Sequence, residues 1–502
     1  MRRARLPLVP ARRIAARRFA PWRRGSPPLL PWVPILAIGL AALVLVLATY
    51  PGFRFGRTGP SGLLIPGPIV NATVSVGPKV GVHPADPFFS IVFQTGNSPV
   101  AMLRQTGAFF NSTPITLFRF GGGGEAYDPT TGTLYEAPSG GGQYIATPAP
   151  PNTWNLTWMR AWCGSRVPSC AWLGYLPAEE NNTQAAVHTA QWYHSVLGFV
   201  PTYWQLGNEP EAWLHYGENR TQWSTYDAST PTGLAYATMV RNYIEAIRAI
   251  YPTDQFVGIE ASSPGGGSGG FVSDTAELAG SLVGAMAYHT YPWIDGSSSD
   301  LSQFFGTLAS NSNVSATASV FRSGVLAGCP SCESVPIQIG EFQAGPAGAL
   351  NPFALTYAGA PFIAAAIIEA LRANVSTFTP FDESWLLDPT DGAVLPEGLL
   401  YQRILENMTM GTDFATSVSA IGVGGIYSVL TQNGTHESLL VVNANTTHSI
   451  RLTLPPGPFE NGSVGSYWLW GPSVADPIPD RSVAFPSAFE VPEEGILLLD
   501  NY

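Results

Sequence analysis

The sequence is poor in charge. Only 12% of its 502 residues are Asp, Glu, Lys or Arg, about half the roughly 25% of an average globular chain, which excludes a coiled coil or a charged disordered protein. Cysteine is scarce as well. There are four, with a single Cys-x-x-Cys at Cys329 and Cys332 and neither a second such pair nor a His/Cys cluster to complete a metal site. The Gly-rich stretch FRFGGGGE at residues 118–125 lacks the Lys and the Ser/Thr of a phosphate-binding loop. Basic residues are sparse once the N-terminus is passed: residues 1–24 hold nine Arg and no acid, leaving 15 basic against 35 acidic residues for the rest. A body of that balance is no polyanion binder, and nucleic acid is not an expected partner.

What is present begins with one long apolar run, PWVPILAIGLAALVLVLAT at residues 31–49, close to the roughly 20 residues a helix needs to cross the hydrocarbon core. The Arg cluster before it orients the segment by the positive-inside rule. Residues 1–30 therefore read as a basic cytoplasmic N-terminus, 31–50 as a transmembrane signal anchor, and the Pro/Gly-rich residues 51–67 as a linker to a body outside the cell membrane. The alternative is a secreted protein after signal cleavage, but the run exceeds a usual signal h-region and no small-x-small site follows it. Eleven Asn-x-Ser/Thr sequons, at Asn71, Asn111, Asn155, Asn181, Asn219, Asn313, Asn374, Asn407, Asn433, Asn445 and Asn461, suit an external glycoprotein. So do the two close cysteine pairs, expected as the local disulfides Cys163–Cys170 and Cys329–Cys332.

Length favours two folded domains, since single cores stop growing near 250–300 residues. Across residues 84–395, short apolar runs alternate with segments of helical period, the signature of repeated βα units. Strands are expected at residues 88–95, 115–120, 171–176, 202–206, 256–260, 284–289, 336–339 and 375–380, and eight of them suggest a closed (β/α)8 TIM barrel. Helices are expected at 233–250, with Leu234, Met239, Tyr243, Ile247 and Ile250 in period, and at 361–373. Another is expected at 154–162, where Trp154, Trp158 and Trp162 read as a packing stripe. Residues 396–502 change to short alternating strands and turns, an antiparallel β-sandwich. The strand-like residues 68–83 have no barrel role and are expected to join that sandwich.

The most informative local sequence is YWQLGNEPEAW at residues 203–213. There the fourth strand runs directly into Asn208-Glu209-Pro210, which puts Glu209 at the C-terminal face where barrels carry their chemistry. Glu341, in VPIQIGEFQAG, ends the seventh strand in the same way. Two carboxylates opposed across a barrel mouth are what cleavage of a glycosidic bond requires: one protonates the leaving oxygen while the other attacks or activates water. Other strand ends add candidate substrate-binding residues. His289 and Tyr291 follow the sixth strand, where the tyrosine could hold the nucleophile, while Asp382, Glu383 and Trp385 follow the eighth, with Trp385 as a subsite floor.

These residues resemble the clan A glycoside hydrolases. Within that clan, LGNEP at 206–210, FRFGGGG at 118–124 and a C-terminal sandwich joined by an N-terminal strand look like family 79, which includes heparanase and β-glucuronidases. The resemblance implies Glu209 as general acid/base, Asn208 as a donor to the sugar 2-hydroxyl and Glu341 as nucleophile. It further implies a retaining hydrolase of β-linked oligosaccharides or polysaccharides that needs no metal or organic cofactor. The segment after Glu341, FQAGPAGALNPF, departs from the family's usual one. Two rival readings remain open at this point: a non-catalytic surface glycan-binding or adhesive protein on a dead barrel, and a clan A β-glucosidase, xylosidase or endoglycanase.

Overall fold

The computed structural model describes residues 67–83, 88–93, 109–113, 115, 117–120, 126–128, 133–136, 145–148, 156–165, 170–178, 181–212, 232–265, 270–292, 300–310, 313–344, 353–381, 385–388, 392–454, 457, 459–472 and 480–501. The expected membrane segment lies outside them. Among the described residues no helix is long and apolar enough to cross a membrane.

The barrel forms from eight parallel strands. They are Ser90–Phe93, Leu117–Phe120, Ala171–Tyr175, Tyr203–Gln205, Phe256–Ala261, Ala285–Thr290, Ile337–Phe342 and Thr377–Pro380, each hydrogen-bonded to the next in that order. A parallel bridge from Phe89 to Phe378 joins the first to the eighth and nearly closes the ring. Every expected barrel strand is present. The strands read as unbroken apolar runs because helices cover one face and side chains fill the other, so that the fifth, sixth and seventh are buried at all six positions.

Two departures from strict alternation decide where the chemistry sits. Between the fifth and sixth strands the register moves from Ala285↔Val257 to Ala287↔Glu260, an extra residue on the fifth strand. Between the sixth and seventh it moves from Tyr288↔Ile339 to His289↔Glu341, an extra residue at Gly340. Such bulges re-aim the side chains that follow them. Leu117, Leu173, Val257, Ala285 and Ala287 make a separate small cluster inside the barrel. Past the bulges, Glu260 and Glu341 continue that inward-facing set toward the mouth.

Helix Gly233–Arg248 turns Tyr236, Met239, Val240, Tyr243 and Ile247 inward, with Thr232 capping it through a bond from the Ala235 amide. The expected stripe is corrected at its ends, since Leu234 and Ile250 are exposed; their positions lie off the face that meets the strands. Helix Leu156–Ser165 carries Trp162 into the core as expected, whereas Trp154 lies outside the described residues. Cys163 on this helix is bonded to Cys170, one residue before the third strand, with Cα atoms 5.1 Å apart, and Cys329 is bonded to Cys332 at 5.3 Å. Both lie within the usual Cα range of a disulfide.

The second layer is a nine-stranded, mostly antiparallel sheet. Its order is 480–484, 464–470, 495–500, 436–443, 426–433, 412–420, 69–82, 449–453, 489–491. Strand Ile69–Val82 pairs antiparallel with Thr412–Ala420 and parallel with Ser449–Thr453, and so belongs to this sheet. Alternate residues of its central strands serve two cores. Leu439, Val441, Leu497 and Leu499 pack with Ala72, Val74, Ile450 and Leu452 in the sheet's own core, while Leu440, Val442, Ile496 and Leu498 join the barrel's main cluster. Between the two layers lies helix Gly359–Arg372, buried at every position from Gly359 to Leu371. A helix apolar all round is stable only when covered on all sides. Nine of the eleven sequon asparagines are described, and none is buried.

Candidate active site

The residues at the barrel mouth assemble around one arginine. Arg119, on the second strand, is 1% exposed and donates four hydrogen bonds, Nε to Gln205 Oε1 at 3.2 Å, Nη1 to Glu341 Oε1 at 2.6 Å and the Gly340 carbonyl at 3.2 Å, and Nη2 to Asn208 Oδ1 at 2.9 Å, while Nη2 also forms an ion pair with Glu260 Oε2 at 3.0 Å. A planar fork is the side chain that can hold several carboxyl and amide groups at fixed angles. Burial works against its charge, but Glu260, the facing Tyr175 and Glu341 outweigh it and hold the guanidinium well above its ordinary pKa.

Glu341 is 3% exposed. Beyond Arg119, it accepts a hydrogen bond from the Tyr291 hydroxyl on Oε2, the contact expected of that tyrosine. Burial pushes its carboxyl above the usual carboxylate range; His289 and Arg119 oppose that shift, and Glu209 and Glu260 add to it. Glu209 is less enclosed, with its side chain 15% exposed. It follows Gly207 (φ 88°) and itself sits at φ 49°, in the left-handed region that a non-glycine residue seldom adopts. Its amide is pinned to the Glu260 carbonyl at 2.8 Å. Backbone held in such a region by surrounding structure is common at active sites.

His289, fully buried, stands between the carboxylates. Its Nδ1 lies 2.7 Å from Glu209 Oε1 and 3.3 Å from Glu341 Oε2, and its Nε2 3.4 Å from Glu260 Oε1. Burial alone would lower its pKa, but Glu341, Glu209 and Glu260 carry it up to about 10. Glu260 is 1% exposed and also accepts from Gln205 Nε2 at 2.5 Å. Burial tends to raise its pKa, yet Arg119, His289 and Gln205 bring the carboxyl below its usual range. Beside Glu209, Glu211 accepts from the Ser262 amide at 2.5 Å and its hydroxyl at 2.9 Å.

Asn208, Glu209, His289, Tyr291 and Glu341 thus come together as the sequence suggested. Asp382 and Glu383 lie outside the described residues. Trp385 is a correction: it is 1% exposed inside the main core cluster, so it presents no ring face for a sugar to stack on. Sequence reasoning missed Arg119, Gln205 and Glu260. The signal for Glu260 was available, because it stands near a strand end just as Glu209 and Glu341 do.

One ligand atom each from Glu209, His289 and Glu341 lie within 4.8 Å of one another, a spacing a metal ion could bridge. The donor chemistry does not fit one. His289 Nδ1 is engaged with Glu209 at 2.7 Å, the ring's high pKa favours the cation, which has no lone pair for a metal, and the Arg119 guanidinium already pairs with Glu341.

No family model and no curated protein matches the sequence. Among solved structures the chain is similar to a family 51 α-L-arabinofuranosidase from Bifidobacterium longum, with TM-score 0.63 and 11% identity over 86% of this chain and 100% of that one. It is similar to a family 44 xyloglucanase from Paenibacillus polymyxa, with TM-score 0.60 and 10% identity over 86% and 99%. A third is a 4-O-α-L-rhamnosyl-β-D-glucuronidase from Fusarium oxysporum 12S, with TM-score 0.58 and 14% identity over 86% and 99%. The fold is therefore one found in clan A glycoside hydrolases, as Asn208-Glu209 and Glu341 implied; the finer likeness to family 79 draws no support from these neighbours.

Proposed function

We propose that the protein is a retaining glycoside hydrolase in which Glu341 is the nucleophile and Glu209 the general acid/base. The observation that carries this reading is the opposed pair: a carboxylate oxygen of each lies within 4.8 Å of the other, nearer the roughly 5–5.5 Å of retaining carboxyl pairs than the roughly 6.5–9.5 Å of inverting ones. Roles follow from the surroundings. Glu341 is held by Arg119 and Tyr291, which fixes one oxygen for attack. Glu209 is the more exposed of the two and can meet a leaving group.

In the first step a Glu341 oxygen bonds to the anomeric carbon as the glycosidic C–O bond breaks, and the leaving oxygen takes the Glu209 proton. In the second, Glu209 removes a proton from water, whose oxygen displaces Glu341 and frees the sugar. Asn208, its carbonyl oxygen fixed by Arg119, would turn its amide N–H toward a sugar hydroxyl. We further propose that this body acts outside the cell on a membrane anchor formed by residues 31–50, a reading supported by the Arg-rich N-terminus and the unburied sequons.

The neighbours' names span arabinofuranosides, xyloglucan and a glucuronide, so the test is a panel of chromogenic glycosides that includes each of those sugars with glucosides and xylosides. Turnover of at least one is expected, with retention of anomeric configuration by NMR. Glu341→Gln should abolish it. Glu209→Ala should still react with dinitrophenyl glycosides, and azide should rescue it as the glycosyl azide. Glycan binding that survives both substitutions without any turnover by the wild type would overturn the reading in favour of a binding barrel.

A further inference from the structure

We propose that Glu260 is a positioning residue of this centre: from beneath the site it holds His289 as a cation between Glu209 and Glu341. The inference rests on the roles proposed for Glu209 and Glu341. Glu260 cannot itself meet substrate. It is 1% exposed, and its Oε1 packs so closely on the seventh strand that a Cβ at Gly340 would lie 2.1 Å from it. What it can reach is His289, whose Nε2 is 3.4 Å away.

An imidazole with a carboxylate facing each nitrogen is favoured as the doubly protonated ring, because the charge of the cation is attracted from both sides. Without Glu260 the buried His289 would face carboxylates on its Nδ1 side alone, at 2.7 and 3.3 Å, and a neutral tautomer with Nδ1–H would serve them.

Among the described residues, Glu209, Glu260 and Glu341 face Arg119 and His289. The other described ionisable groups beside them are the phenols Tyr291 on Glu341 and Tyr175 on Glu260 at 3.5 Å, and Glu211, which accepts from Ser262. Coupled groups titrate as a set, and removing one negative charge from the set weakens its hold on its most labile proton, whether that proton leaves Glu209 or His289. Both responses move the alkaline limb of activity the same way.

The test uses the full chain labelled with ¹⁵N-histidine, the His289 signals being those lost in His289→Gln among the seven histidines. In the wild type both His289 nitrogens should carry protons at pH 8; a neutral ring there overturns the proposal without any variant. In Glu260→Gln the His289 titration should fall by about one pH unit or more, and in Glu260→Asp, which keeps the charge, it should stay near the wild-type value. An unmoved titration in Glu260→Gln overturns the proposal. For activity, the alkaline limb of kcat/KM should shift down by a similar amount in Glu260→Gln and be restored in Glu260→Asp. A lower kcat with an unmoved limb would show a merely structural role and likewise overturn it. If the wild type hydrolyses no glycoside, the hydrolase reading fails while the histidine titration still decides what Glu260 does.

Discussion

Replacing Arg119 with methionine removes the side chain to which Glu341, Glu260, Asn208, Gln205 and the Gly340 carbonyl are all bonded. Methionine is similar in length, so little cavity opens and the loss is mainly electrostatic. Breaking a buried pair by removing one partner costs roughly 3–5 kcal/mol. Here two carboxylates, at 2.6 and 3.0 Å, lose the same cation while 3% and 1% exposed, which points to the upper end, about 4–5 kcal/mol at pH 8. That is a large part of the roughly 5–15 kcal/mol by which a domain is usually stable.

The loss carries a pH signature. In the wild type the folded pKa of Glu260 lies below its ordinary value, so its contribution is present above the unfolded pKa and fades as pH falls through the folded one. In the variant both carboxyls are pushed up by burial, and a raised carboxyl destabilises the fold as pH rises through and above its unfolded value. The two stability curves should therefore converge toward pH 4 and separate toward pH 8. Urea unfolding followed by tryptophan fluorescence at pH 5, 6.5 and 8 reads this directly. A loss under about 1 kcal/mol at pH 8, or one that is constant across the range, would refute the buried-pair argument. Arg119→Lys should recover part of the stability and little of the activity, because one ammonium cannot reproduce the five-donor fork.

Treatment with a chelator should leave kcat/KM unchanged within about twofold, since His289 and Arg119 already serve the carboxylates; recovery of lost activity on adding Ca²⁺ or Mn²⁺ would show the donor argument to be wrong. The double substitution Cys163→Ala, Cys170→Ala opens a loop with sequence separation 7 and should lower stability by about 2–3 kcal/mol on the chain-entropy relation, measured as a shift in urea midpoint. Gly340→Ala would bring a Cβ to 2.1 Å from Glu260 Oε1; kcat/KM should fall by about tenfold or more, for a stability loss of about 1–3 kcal/mol. An active Gly340→Ala enzyme would mean that Glu260 need not occupy that position.

Much of the barrel was legible because its strands are apolar runs too short for helices and are separated by segments of helical period, so that length and rhythm identify strands whose burial on both faces has removed the alternation. The same logic explains SLLVVN at 438–443 and GILLLD at 495–500, which are buried throughout since one face meets the sheet's own core and the other the barrel. Position along a strand is readable from sequence, but orientation is less so. Trp385 follows the eighth strand as a subsite tryptophan would, yet it turns into the core. Arg119 sits between Phe118 and Phe120 in a segment whose glycines drew notice first, and nothing local tells that it reaches five partners at the ends of the fourth, fifth and seventh strands or in the turn after the fourth.

The three carboxylates are aimed by irregular backbone, each in its own way. Counting by twos from Val257, which faces inward, a regular fifth strand would turn Ile259 to the barrel axis and Glu260 to the helices. Counting from Gln338, a regular seventh strand would turn Gly340 inward and Glu341 outward. In each case one extra residue reverses the outcome, and without it two carboxyl groups would be buried against the apolar face that receives the helices, at several kcal/mol each. Glu209 reaches the same centre by a left-handed turn after Gly207. A glycine accompanies each irregularity: Gly207 before the turn, Gly258 within the first bulge and Gly340 at the second, where Glu260 leaves no space for a side chain. The hydrophobic period that reveals the barrel therefore loses its force where the chemistry lies, and a glycine one or two residues before a strand-end carboxylate is the local feature shared by all three.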